Sequence, residues 1–206
     1  MAGRDVVGVV LVAGLTVFLV GAGGWRKAYE QPLTASLRTI HTDRRRRAWI
    51  HAWMIPAMFI TCAGMVGLVV LLGAGTAAVV AAMAAVAYAI GAVCWIASLA
   101  FRLTVVPWAA ERTVADGAPP AGFAALDGWA GSLYVVHMVS AYAASATLGA
   151  ALLVAGELPG WVGWFGVGWG LAFLAGFLAT RFAGPFNPPF WAHVYSALVG
   201  AMLLAT

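Results

Sequence analysis

Along this chain, long apolar stretches alternate with short polar punctuation, and the stretches are too long and too uniform for the core of a water-soluble domain. A helix crossing the hydrocarbon of a bilayer needs about 20 apolar residues at a rise of about 1.5 Å each. Six runs reach that length, at roughly 6–24, 50–73, 77–101, 131–155, 161–180 and 189–206. The pattern predicts an all-α integral membrane protein, a bundle of about six transmembrane helices forming a single domain over residues 1–206. The turns Leu72–Thr76 and Gly156–Gly160 are short and nearly uncharged, whereas 25–49, 102–130 and 181–188 hold almost all the arginine and lysine. Three helical hairpins follow from that alternation.

Proline and glycine refine the picture. Segment 102–130 contains Pro107 and then Pro119-Pro120 between Gly117 and Gly122, so it is expected to break from helix and to set Trp108, Phe123 and Trp129 at headgroup level. Gly184 to Trp191 reads as a rigid turn before the last helix, and Pro56 as a kink in the second. Gly163, Gly166 and Gly170 share one face of the fifth helix, with Gly176 further along, which is how helices approach closely in lipid.

Composition agrees. Hydrophobic residues make up 64% of the chain and charged ones only 9%, with a mean hydropathy of +0.95. A soluble domain carries about 25% charged residues. The 18 charged side chains here would not cover a water-facing globule of 206 residues, and lipid must cover the rest. Ten tryptophans suit membrane–water interfaces.

Charge then sets an orientation. Seven of the eleven basic residues lie between Arg26 and Arg47, which reads as a cytoplasmic loop rather than a nucleic-acid surface. With loops 25–49, 102–130 and 181–188 in the cytoplasm, ten of the eleven Lys and Arg lie inside and only Arg4 outside, so both termini face out. A cleaved signal peptide over 1–24 is disfavoured: the start has no net positive charge and the apolar run is long. Cys62 and Cys94 lie in apolar runs and form no CxxC pair, so they read as small buried hydrophobes. The Ala-, Val-, Gly- and Arg-rich composition resembles that of proteins from high-GC bacteria, which makes a bacterial plasma membrane the expected location.

Candidate chemistry rests on histidine. His41 belongs to the basic loop and reads as a solvated residue. His51, His137 and His193 each fall near the start of a helix running outward from the cytoplasm, at depths expected to agree within about 10 Å in the cytoplasmic half. Ionisable groups at membrane depth are costly and tend to face the bundle interior, often at functional sites. Small residues flank two of them: Tyr134, His137, Ser140, Ala141 and Ala144 share a face, as do His193, Ser196, Ala197 and Gly200. The His51 face continues as Met54, Met58, Cys62 and Met65, a soft lining.

One b-type haem suits this pattern, with His137 and either His51 or His193 as axial ligands. Met54 or Met58 would replace one imidazole, and Arg44 to Arg47 or Arg181 would pair with the propionates. Electron transfer with a quinone or a redox partner protein, or redox or gas sensing, would be its work. A second haem would need histidines in the outer half, and there are none. The alternatives are a transition metal on the three histidines, or structural histidines in a non-catalytic accessory subunit of a larger complex, a homo-oligomer, or a small-solute transporter. Transport coupled to an ion gradient is weakened by the lack of intramembrane Asp, Glu, Lys or Arg, and hydrolysis by the lack of a helical carboxylate base. No Walker A run is present, and the glycines of helix five lack the strand–turn–helix context of a dinucleotide site.

Overall fold

The computed structural model describes residues 3–23 and 31–206, so Arg26 and Lys27 of the first basic segment lie outside the described residues. The described chain is helical: α1 (Gly3–Ala22), α2 (Leu33–Thr42), α3 (Arg44–Leu71), α4 (Thr76–Asp116), α5 (Phe123–Ala155), α6 (Gly160–Ala179) and α7 (Trp191–Ala205), with a single 3-10 turn at Gly184–Phe186 before α7.

Five of these helices, α1 and α3 to α6, are long and apolar enough to cross a membrane; α7 is apolar but spans 15 residues, about 22 Å. Where about six spans are expected, the structure has five helices of spanning length and one shorter apolar helix. The physical reason is the Gly184–Pro189 turn, which sits in a recess against α5. Tyr134 donates a hydrogen bond to the Asn187 carbonyl, and Tyr142 donates one of 2.6 Å to the Phe186 carbonyl. Both tyrosines lie well inside α5, so the last helix starts deep and needs fewer residues to reach the far end.

Two connecting segments also differ from expectation. Residues 102–116 continue α4 as regular helix through Pro107, and α5 is already formed at Phe123. Only 117–122 breaks, at Gly117 and Gly122, whose φ values of 79° and 78° suit glycine alone. An internal proline costs about 3 kcal/mol. Here that cost is offset by packing: Val106, Ala109 and Ala110 of α4 bury against Phe101, Phe123, Ala130 and, from α2, Leu37 and Ile40. The second segment, expected as a loop over 25–49, contains α2 and the first turns of α3, with Arg44 to Arg47 helical.

The α4–α5 hairpin therefore extends past the bundle as a helical spur clasped by α2. Ser98 donates to the Ala130 carbonyl at 2.8 Å and Arg102 pairs with Asp127 at 2.7 Å, which pins its two limbs. Within the bundle, α1 packs on α3, α3 on α4, α4 on α5, and α7 closes the circuit against α1 and α5, with α6 outside on α5. The expected small-residue face of α6 is confirmed: Gly163 and Gly170 meet the α5 backbone, Gly166 the Tyr195 ring and Gly176 the Phe186 ring. Both chain ends meet at the end opposite the arginines, where Arg4 hydrogen-bonds Thr206.

Candidate functional site

His137 and His193 come together at the middle of the bundle; His51 does not join them. His193 opens α7 in its first turn, and its Nδ1 lies 3.1 Å from Thr61 Oγ1 and 3.3 Å from the Tyr88 hydroxyl. Thr61 stands ten residues from His51 and ten from Leu71 on α3, about 15 Å along the axis either way. His137 lies fourteen residues into α5 rather than near its start, because α5 begins eight residues earlier than the hydrophobic run. The expected common depth near the arginine-rich end is thus overturned: two histidines lie about 15 Å deeper than the third.

Two hydroxyls fix the first imidazole. The Thr61 hydroxyl donates to the Ala57 carbonyl at 2.9 Å, and the Tyr88 hydroxyl donates to Met58 Sδ at 3.8 Å. In the tautomer with the proton on Nδ1, that N–H donates toward the two oxygens and Nε2 keeps its lone pair. Nε2 is buried and has no protein partner. His137 is fully buried with the Gly91 backbone carbonyl against its ring, and neither ring nitrogen makes a well-formed hydrogen bond. A buried polar group without a hydrogen bond costs about 1–3 kcal/mol, so such nitrogens call for a reason.

Aromatic rings enclose the pair in a closed circuit. Trp95 stacks on His137 at 4.5 Å between centroids, Tyr88 stands edge-on to His137 at 6.1 Å and to His193 at 6.3 Å, and Phe18 lies 4.8 Å from His193 and 6.0 Å from Trp95. Four helices contribute. Their close approach depends on small residues: a Cβ at Gly91 would lie 2.8 Å from the Ser140 Cβ and 3.2 Å from the His137 Cα and carbonyl oxygen. Gly200 crosses Gly8 in the same way. The small residues beside the histidines, which by sequence suit a haem, thus serve in part as helix contacts. Tyr88, Trp95, Phe18 and Thr61 were not singled out as candidates. Nothing in the sequence separates them from other apolar-helix residues, since α4 carries no histidine.

The remaining candidates are dispersed. Met58 is buried beside Tyr88, and Met54 is buried in the same core. Tyr134 holds the Asn187 carbonyl and half-buried Ser140 faces Gly91. Arg44 and Arg47 lie 17 and 14 residues from Thr61 on α3, about 25 and 21 Å away along the axis, so they stand far from the histidine pair. Arg181 is exposed just past α6, with a φ of 51°. Among the described residues no three of His, Cys, Asp and Glu gather as a metal-holding group. His51 instead lines a small pocket with Arg44, Arg47 and Arg102.

No protein-family description, curated protein or solved structure matches this chain. The class that the fold defines is a helical bundle with five helices of membrane-crossing length and a buried histidine pair at its centre.

Proposed function

We propose that this is a multi-pass bacterial plasma-membrane protein with its arginine-rich end in the cytoplasm, and that the His137–His193 pair ligates one b-type haem for electron transfer. The observation that carries the reading is that three buried imidazole nitrogens, two on His137 beside the Gly91 carbonyl and Nε2 on His193, make no well-formed hydrogen bond. A coordinating imidazole commonly donates its other N–H to a neighbour that orients it, and the Thr61–Tyr88 pair supplies that anchor for His193. The orientation is supported by the gathering of Arg44, Arg45, Arg46, Arg47 and Arg102 at one end and Arg4 at the other.

Bound there, haem would supply reversible one-electron chemistry, exchanged with a quinone or a redox partner protein. The chain's own residues would hold the imidazoles, exclude water and keep the site apolar. The placement carries a condition: Tyr88 and Trp95 now touch the imidazoles and would have to turn aside for a porphyrin. A single transition-metal ion on the two imidazoles is the second reading, favoured by the tight closure of the five rings and by the Met58 thioether beside Tyr88.

Absorption spectra of the detergent-purified protein, oxidised and dithionite-reduced, with metal analysis on the same sample, decide among these. A sharpened α band that disappears in His137→Ala supports haem. Stoichiometric copper or zinc without visible bands, lost in His193→Ala, supports the ion. Protein expressed with ample haem that shows neither would refute both and leave the histidines structural, as in an accessory subunit or a cofactor-free transporter.

A further inference from the structure

His51 lies about 15 Å from the level of the central pair and faces a different setting. It lines a pocket of about 10 Å³ together with Ile40 of α2, Arg44, Arg47 and Ala48 of α3, and Arg102, Leu103 and Pro107 of α4. Three arginines and no carboxylate line it. Glu111 pairs with Arg44 and Asp127 with Arg102, and Asp43 stands one turn before Arg47. His51 is only 4% exposed, and its Nδ1 is buried with no hydrogen-bond partner. The volume is about that of one water-sized oxygen. The walls suit an anionic oxygen rather than a water, since guanidinium groups bind phosphate oxygens strongly.

The occupant follows from the exposed residues next to the pocket's lining in the chain. Trp49 and Trp108 flank it on the chain and stand 52% and 47% exposed. Exposed tryptophans collect at the level of lipid headgroups. A phosphate that inserts one oxygen while the rest stays outside fits a headgroup tethered in that layer. We propose that the His51–Arg44–Arg47–Arg102 pocket binds the headgroup phosphate of an anionic phospholipid. This site stands independently of any cofactor at the central pair.

The test uses the full chain, delipidated in neutral detergent at about 0.15 M salt, and native mass spectrometry with added phosphatidylglycerol or phosphatidylcholine. Phosphatidylglycerol is expected to bind at least about tenfold more tightly than phosphatidylcholine. Arg44→Gln, His51→Leu and Arg47→Gln should each weaken it about tenfold. Arg45→Gln removes the same charge from an exposed residue that does not line the pocket and should change it less than about threefold, because exposed charge pairs are worth little. Arg47 is buried, so if Arg47→Gln does not fold, the exposed Arg44→Gln still carries the test. An equal loss in Arg45→Gln would overturn the site in favour of diffuse charge. Equal binding of the two lipids would overturn it as well. Binding of inorganic phosphate without any of phosphatidylglycerol would reassign the pocket to a soluble anion and overturn the lipid assignment.

Discussion

The anchor of His193 makes a sharp prediction, because two hydroxyls share one nitrogen. Thr61 Oγ1 and the Tyr88 hydroxyl lie 3.1 and 3.3 Å from Nδ1 of a histidine that is fully buried. Thr61→Val and Tyr88→Phe each remove one oxygen while keeping nearly the same shape, and in each the other oxygen stays within reach of Nδ1. Each single change should then cost about 0.6 kcal/mol, the usual worth of a hydrogen bond between membrane helices. The double variant is different. It leaves the Nδ1 proton without a partner, adding the orphan penalty of about 1–3 kcal/mol. The double loss should exceed the sum of the singles by about 1 kcal/mol or more. Reversible unfolding in mixed micelles of dodecyl maltoside and SDS, followed by tryptophan fluorescence, measures all four corners of the cycle. The same cycle in a His193→Phe background should show less coupling, the remainder being the direct Thr61–Tyr88 contact. If the wild-type cycle is additive within about 0.3 kcal/mol, the two hydroxyls do not share His193 and the tautomer argument fails.

Other perturbations test the packing. Gly91→Ala should destabilise by about 1–3 kcal/mol, since its methyl group would press on the backbone of α5 at His137; a neutral result in the same titration would mean that the helices part freely there. Gly166→Ala faces the Tyr195 ring, with Cε1 at 2.6 Å from the new carbon, and should cost a similar amount, so unchanged unfolding would contradict the close α6–α7 approach. Leu37→Ala removes a fully buried side chain from the α2 clasp at about 2–3 kcal/mol. Its effect should appear as faster hydrogen exchange confined to 33–42 and the spur, and uniform acceleration across the bundle would show that α2 is not a separate clasp. Tyr142→Phe deletes the 2.6 Å bond to the Phe186 carbonyl. Exchange at 184–190 should rise by up to about fivefold, the equivalent of about 1 kcal/mol; no change would mean that the recessed turn is held by its apolar contacts alone.

Hydrophobic run length was enough to find most of the bundle, because a helix of membrane length needs a continuous apolar segment whatever its neighbours are. The runs at 77–101 and 131–155 lie within observed helices, and those at 50–73 and 161–180 overshoot theirs by only two residues and one. Where helices run on into polar sequence, run length is blind. The extensions Arg102–Asp116 and Phe123–Ala130 are amphipathic spur helices whose apolar faces find partners only in each other and in α2. Pro107 misled for the same reason: its local cost is visible in one residue, whereas the contacts that offset it come from three helices.

The candidate site divides the same way. That His137 and His193 belong inside the bundle could be argued from their own helices, since an ionisable group in an apolar helix is driven to face protein rather than lipid. Their meeting was not decided locally. It depends on the recessed turn that lowers the start of α7, on Gly91 and Gly200 letting helices close, and on Thr61 and Tyr88 arriving from α3 and α4. Apolar run length and the clustering of charge follow from the sequence, whereas depth along a helix depends on where the helix starts, which for α5 run length did not give. Which side chains touch is a relation between segments far apart in the chain, and only the packed tertiary structure brings them within reach.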